Sequence, residues 1–159
     1  IGRRAVMEAA QSTFISSTFW TERIGPVAAL KTLEVMEREK SWETITAIGN
    51  RVTDRWKELA SVHGLSISTS GLPALTCFNF ESPNALAYKT LITQEMLKKG
   101  YLASTIMYVA TVHTDDVLDG YFAALNEVFG KIKQCEEGRL NIHTLLEGPV
   151  CHAGFKRLN

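Results

Sequence analysis

Val117, Leu118, Tyr121, Phe122, Leu125, Val128, Phe129 and Ile132 recur at three- and four-residue steps. A helix with so wide an apolar stripe has to bury it against a second layer. Thr114 stands at its start as an N-cap, with Asp115 and Asp116 in the first turn, where the helix dipole favours negative charge. A second stripe, Trp42, Ile45, Ile48, Val52, Trp56 and Leu59, predicts another long helix, capped by Ser41, with Glu43 in its first turn, and ended by Gly64. Between the two, the pattern changes period. Residues 65–69 alternate as a strand does, Ser70-Gly71-Leu72-Pro73 reads as a turn, and residues 74–80 read as a second strand, antiparallel to the first across so short a connection.

Ser82 followed by Pro83 predicts a further helix start, carried on by Leu86, Ala87, Leu91, Ile92 and Met96 and closed by Gly100. Residues 101–103 and 106–110 are β-prone and predict a third strand, broken at Ser104-Thr105. Upstream, residues 3–11 have short-helix character, and Pro26 suits the first turn of a helix running to about Lys40. Gly138 and Gly148-Pro149 predict a loose tail. Two helices, two strands, a helix, a strand and a helix make an α+β layer: a small antiparallel or mixed sheet with helices on one face.

The 159 residues suffice for one compact domain with a real core. Seventeen basic residues balance seventeen acidic ones, so no field points toward nucleic acid or an anionic membrane. The uncharged stretch from Tyr101 to Val112 is too short to span a bilayer, and Ile1-Gly2-Arg3-Arg4 does not lead into a secretory signal. The absence of an initiator Met fits a fragment or a processed chain. Cys77, Cys135 and Cys151 are an odd set at wide spacing; they read as buried thiols in a reducing cytoplasm rather than a disulfide framework or metal knuckle.

One stretch carries more than packing. Ser16-Ser17-Thr18-Phe19-Trp20-Thr21-Glu22-Arg23-Ile24-Gly25-Pro26 brings hydroxyls to the start of the helix that follows. Hydroxyls beside unpaired first-turn N–H groups make an anion site, or simply a capped helix N-terminus.

The segment from Phe14 to Leu33 resembles the stretch after the Schiff-base lysine in class III, fold-type I, pyridoxal-phosphate (PLP)-dependent aminotransferases, and most of all the relatives of glutamate-1-semialdehyde aminomutase. The ungapped run Ala28-Ala29-Leu30-Lys31-Thr32-Leu33 places the family's phosphate-binding threonine on Thr18, with Ser17 before it. Where the family more usually has Ser-Gly-Asn-Pro, this chain has Thr21-Glu22-Arg23. The resemblance continues through the tail and implies a homodimer in which Thr18 and Ser17 bind the PLP phosphate of the neighbouring subunit. It also implies that residues 1–40 end the large PLP-binding domain with its connecting helix, and that residues 41–159 are the C-terminal small domain. The implied reaction moves an amino group between small amino and keto substrates. The Schiff-base lysine and the aspartate on the pyridine nitrogen are then expected upstream of Ile1. The chain alone is expected not to transaminate, and to leave apolar surface uncovered.

The remaining candidates are weaker. Arg23 could clamp a phosphate or a substrate carboxylate, or pair on the surface with Glu22 or Asp54. None of the nine lysines follows a strand in a small-residue loop, where the family keeps its catalytic one. His63, His113, His143 and the Cys151-His152 pair have plain structural readings, and no spacing here holds a metal. A non-catalytic α+β interaction or dimerisation module is the alternative.

Overall fold

A computed structural model describes residues 3–12 and 22–154. The chain divides into two compact units, Ile1–Glu39 and Lys40–Asn159. The first contains α1 (Arg4–Ala10) and α2 (Ile24–Glu39), neither of which buries a side chain. Pro26 lies in the first turn of α2, as its missing N–H requires.

The second unit runs α3 (Ser41–His63), β1 (Ile67–Leu72), β2 (Leu75–Phe80), α4 (Ala85–Lys98), β3 (Ile106–Tyr108), α5 (Asp115–Glu136) and α6 (Ile142–Leu145). Its three strands form one antiparallel sheet with β2 in the middle. Along β2, Thr76, Phe78 and Phe80 point inward and are buried, while Leu75 and Asn79 point outward. The inward face meets the helix layer through aromatic rings. Phe78 lies 4.8 Å from Trp56 of α3 and 5.9 Å from Phe129 of α5, and Phe80 lies 5.5 Å from both Tyr88 of α4 and Phe129. One strand thus joins all three long helices, and edge-on ring contacts of this kind add to the simple burial of area.

Gly49 sets how closely α3 crosses the β1–β2 hairpin. A Cβ added there would stand 1.9 Å from the Pro73 carbonyl oxygen, so only a glycine allows this approach. Beside it, Thr53 Oγ1 donates to the Gly49 carbonyl at 2.9 Å and meets Thr76 Oγ1 at 2.6 Å. Because the Thr53 proton is already committed, the buried Thr76 hydroxyl is the donor in that pair.

The helix stripes lie where their periodicity puts them, but several boundaries differ from the sequence reading. Ser41 is inside α3 rather than capping it, and its buried Oγ finds no partner among the described residues. The capping position belongs to Lys40, held at φ 47°, a left-handed conformation that links α2 to α3 through one residue. β1 continues through Leu72, so the turn shrinks to Pro73-Ala74. Helix α4 begins at Ala85, because Ser82 Oγ accepts the Asn84 N–H and winds residues 82–84 into a turn first. The third strand keeps only three residues. Thr114 occupies the N-cap position of α5, though its hydroxyl makes no capping bond.

The tail departs most from expectation, since residues 145–151 lie along α4 rather than loose. Gln94 donates Nε2 to the Leu145 carbonyl at 2.9 Å and accepts the Glu147 N–H at 2.8 Å. One turn earlier, Thr90 Oγ1 accepts the Cys151 N–H at 3.0 Å, and one turn later Lys98 pairs with Glu147 at 2.6 Å. Thr90, Gln94 and Lys98 are spaced four apart, so one helix face grips the whole strap.

Candidate functional site

Ser17 and Thr18, the residues expected at the cofactor phosphate, lie outside the described residues. Arg23 is described: it is exposed and immediately precedes α2, where its carbonyl accepts the Val27 N–H at 3.0 Å and opens the helix. No acidic residue occupies the first turn of α2, although Glu22 stands just before Arg23. An exposed guanidinium at such an end attracts an anion, and its planar fork can take a carboxylate or phosphate through two parallel hydrogen bonds.

The lysines do other work. Lys31, Lys40, Lys57, Lys98, Lys99, Lys131 and Lys133 each stand on a helix or at its end, paired with a carboxylate. Lys156 lies outside the described residues. A lysine that anchors a carbonyl cofactor has to lose its proton in a secluded pocket, and an exposed amine in an ion pair is suited to the opposite. These seven ion-paired lysines are therefore poor anchors for PLP; Lys89, half-buried on α4, is the other described lysine.

Three of the four histidines also serve the fold. His63 meets Asn126 Oδ1 at 2.8 Å, His113 Nδ1 accepts the Ala110 N–H at 3.2 Å, and the backbone of His143 donates to Asn141 Oδ1 at the start of α6. Among the described residues, no group of histidines, cysteines and acids could hold a metal ion. Among the described residues, no helix is long and apolar enough to cross a membrane. The three cysteines are free and half-buried, and burial pushes the Cys135 thiol up, away from a reactive thiolate.

Two groups that periodicity could not show stand out electrostatically. Glu95, 8% exposed on α4, accepts from Lys98 at 2.8 Å, from the Gln94 amide at 2.9 Å and from Lys131 of α5. Burial alone would raise its pKa; the hydrogen bonds from Lys131, Lys98 and Gln94 outweigh it and bring the carboxyl down to about 2. Burial, helped by Glu136, pushes the Tyr88 phenol up to about 12. Glu95 ties α4 to α5 and Tyr88 packs against Phe80 in the core, so both read as structural.

The cleft of about 290 Å³ beside β3 is lined by Tyr101, Ser104, Met107, His113 and Tyr121, among others. Its walls are largely apolar.

No family model matches the sequence. The chain is 26% identical over 140 residues to a 3-aminobutyryl-CoA aminotransferase of Cloacimonas acidaminovorans (strain Evry), covering 84% of this chain and 34% of that protein. It is 25% identical over 134 residues to a 2'-deamino-2'-hydroxyneamine transaminase of Streptomyces kanamyceticus, covering 80% of this chain and 34% of the relative. The chain is similar to aminotransferases. It spans about a third of the length of the curated relatives it matches. The solved PLP internal aldimine form of the FumI protein of Sphingopyxis sp. MTA144 shares the fold, with a TM-score of 0.75 at 19% identity over 92% of this chain and 36% of that one. The small antiparallel sheet under a helix layer is accordingly the fold of a portion of a PLP protein, as the resemblance implied.

Proposed function

We propose that this aminotransferase relative is the C-terminal part of a class III PLP-dependent aminotransferase or aminomutase, similar to glutamate-1-semialdehyde aminomutase. The observation that carries the reading is sequence similarity to an aminotransferase over 84% of the chain, joined to a fold shared with a PLP protein. Residues 1–40 then complete the large, cofactor-binding domain, and residues 41–159 are the small domain.

In this reading the lysine that anchors PLP lies upstream, which accords with the ion-paired lysines of the described residues. When bound, PLP supplies the electron sink and carries the amino group. The work of this chain is to hold the cofactor and orient the substrate. Thr18 gives its hydroxyl and N–H to the phosphate across a homodimer interface, Ser17 supplies a second hydroxyl, and Arg23 offers a fork to a substrate carboxylate.

The test is Thr18→Ala in the longer polypeptide. PLP retention, read by absorbance after dialysis, should fall by about tenfold or more, the scale of a lost charge-assisted hydrogen bond. Retention equal to that of the parent would overturn the phosphate role. Borohydride reduction of the same polypeptide with PLP should leave the pyridoxyl label on one lysine outside residues 1–159. A stoichiometric label on one of the nine lysines within would relocate the active site. No label at all would favour a non-catalytic α+β module.

A further inference from the structure

The charges of this chain are distributed unevenly over its faces. Residues 65–80 and 100–114, which contain all three strands, hold no Lys, Arg, Asp or Glu. The helix layer, by contrast, bears ion pairs at its surface, including Arg51–Asp115, Arg55–Asp119 and Lys99–Glu127, each at 2.6 Å. One face of the second unit is thus built for water, and the opposite face is not.

The bare face is also apolar in rows. The register sets Leu72 beside Leu75 and Leu75 beside Tyr108, and in the next outward row Cys77 beside Ile106. Leu72 and Tyr108 are 74% and 77% exposed, and Leu75 and Ile106 are exposed too. Leu102, which shares the wall of the neighbouring cleft with Ile106 and Tyr108, is exposed as well. Both β1 and β3 are edge strands. Natural sheets usually blunt free edges and open faces with charge, and exposed apolar patches mark interaction surfaces. Among the described residues, this face of the sheet has neither charge nor cover.

Resting on the reading of the chain as one part of a longer enzyme, we propose that the outward face of the sheet is the seat of the remaining, upstream part of the same polypeptide. About two thirds of the length of the matched relatives lies outside the region they share with this chain. The uncharged face can bury apolar area without stripping water from charged groups, whereas the ion-paired helix face cannot. The contact is made by side chains on Leu72, Leu75, Ile106 and Tyr108.

Hydroxyl-radical footprinting tests this directly, on the 159-residue chain and on the polypeptide read from the full frame through it. Modification of Leu72 and Tyr108 should be about fivefold or more slower in the longer polypeptide, independent of concentration. Equal rates in the two would overturn the proposal. Protection of the 159-residue chain that grows with its concentration would also overturn it, making a second copy the occupant. Tyr108→Lys provides a second measurement: it should leave the melting temperature of the 159-residue chain unchanged and lower that of the longer polypeptide. Equal effects on both would argue against the contact. Loss of the borohydride label with the protection intact would remove the PLP reading and leave the docking face standing.

Discussion

The indole Nε1 of Trp56 donates to the hydroxyl of Tyr121 at 3.1 Å, in a part of the core where both side chains are buried. The bond joins α3 to α5 across 65 residues of sequence and satisfies two polar atoms that the apolar stripes would otherwise strand. Burial raises the Tyr121 phenol far above its ordinary range, only partly offset by the Trp56 donation, so it stays neutral wherever the fold persists.

Replacing Trp56 with Phe keeps a ring against Phe78 but leaves the Tyr121 hydroxyl without its donor. The expected loss is about 3 kcal/mol, combining an unsatisfied buried hydroxyl with a small cavity. Adding Tyr121→Phe to that variant should recover about 1 kcal/mol, because the stranded oxygen is then gone. Urea unfolding of the two single variants and the double variant checks both signs. Additive losses would show that the hydrogen bond couples nothing.

Gly49→Ala sets two effects against each other. Alanine is the better helix former by about 1 kcal/mol, but its Cβ would collide with the Pro73 carbonyl oxygen at 1.9 Å, and a backbone atom cannot turn aside as a side-chain tip can. The clash should win, with a net loss of about 2 kcal/mol as the hairpin is pushed off α3. Thermal unfolding reads the sign, and a more stable variant would mean that α3 and the hairpin do not approach this closely.

Glu95 gives the fold an acid limit. Its folded pKa of about 2 lies below that of an unfolded carboxyl, so its contribution is complete above about pH 4.3 and lost as pH falls toward 2. Glu95→Gln should therefore cost about 2–3 kcal/mol at pH 7, leaving Lys131 and Lys98 without their shared acceptor, and almost nothing near pH 2. Urea midpoints taken from pH 7 down to pH 2 should converge between parent and variant. A constant gap would assign the loss to packing.

How much of this was legible in the sequence depends on range. Ile48, Val52 and Trp56, and Leu118 through Ile132, declare themselves by period, because a helix returns the same face every three or four residues. Trp42 and Val117 share that period yet stand about half exposed, since the buried face is narrower than the apolar stripe. The grip of Gln94 on residues 145–147 and the Lys131–Glu95 pair join polar residues 36 to 53 apart, a spacing that carries no periodic signal. Gly49 looks like a blemish in a helix until the hairpin that crosses it is known. Thr18 and Ser17 came from a resemblance rather than a pattern, and they lie outside the described residues.

The strap offers a prediction of its own. Gln94 both donates to and accepts from the backbone of residues 145–147. Gln94→Ala removes both bonds while leaving α4 a better helix, so local opening should become easier by about 1–2 kcal/mol with little change in global unfolding. Amide exchange separates the two. Residues 145–151 should exchange about tenfold faster, while the core of α5 stays protected.

Arg23 yields the prediction closest to function. An exposed guanidinium at the start of α2 can hold a carboxylate in two parallel hydrogen bonds, whereas a lysine offers a point charge on a flexible stem. In the longer polypeptide Arg23→Lys should raise KM for a carboxylate-bearing substrate by about tenfold, at little cost in PLP retention. The same substitution should be nearly silent toward an amine that lacks a carboxylate, because the lost geometry then has nothing to grip. A fall in PLP retention instead would move Arg23 to the cofactor phosphate, and no change in either quantity would return it to the surface.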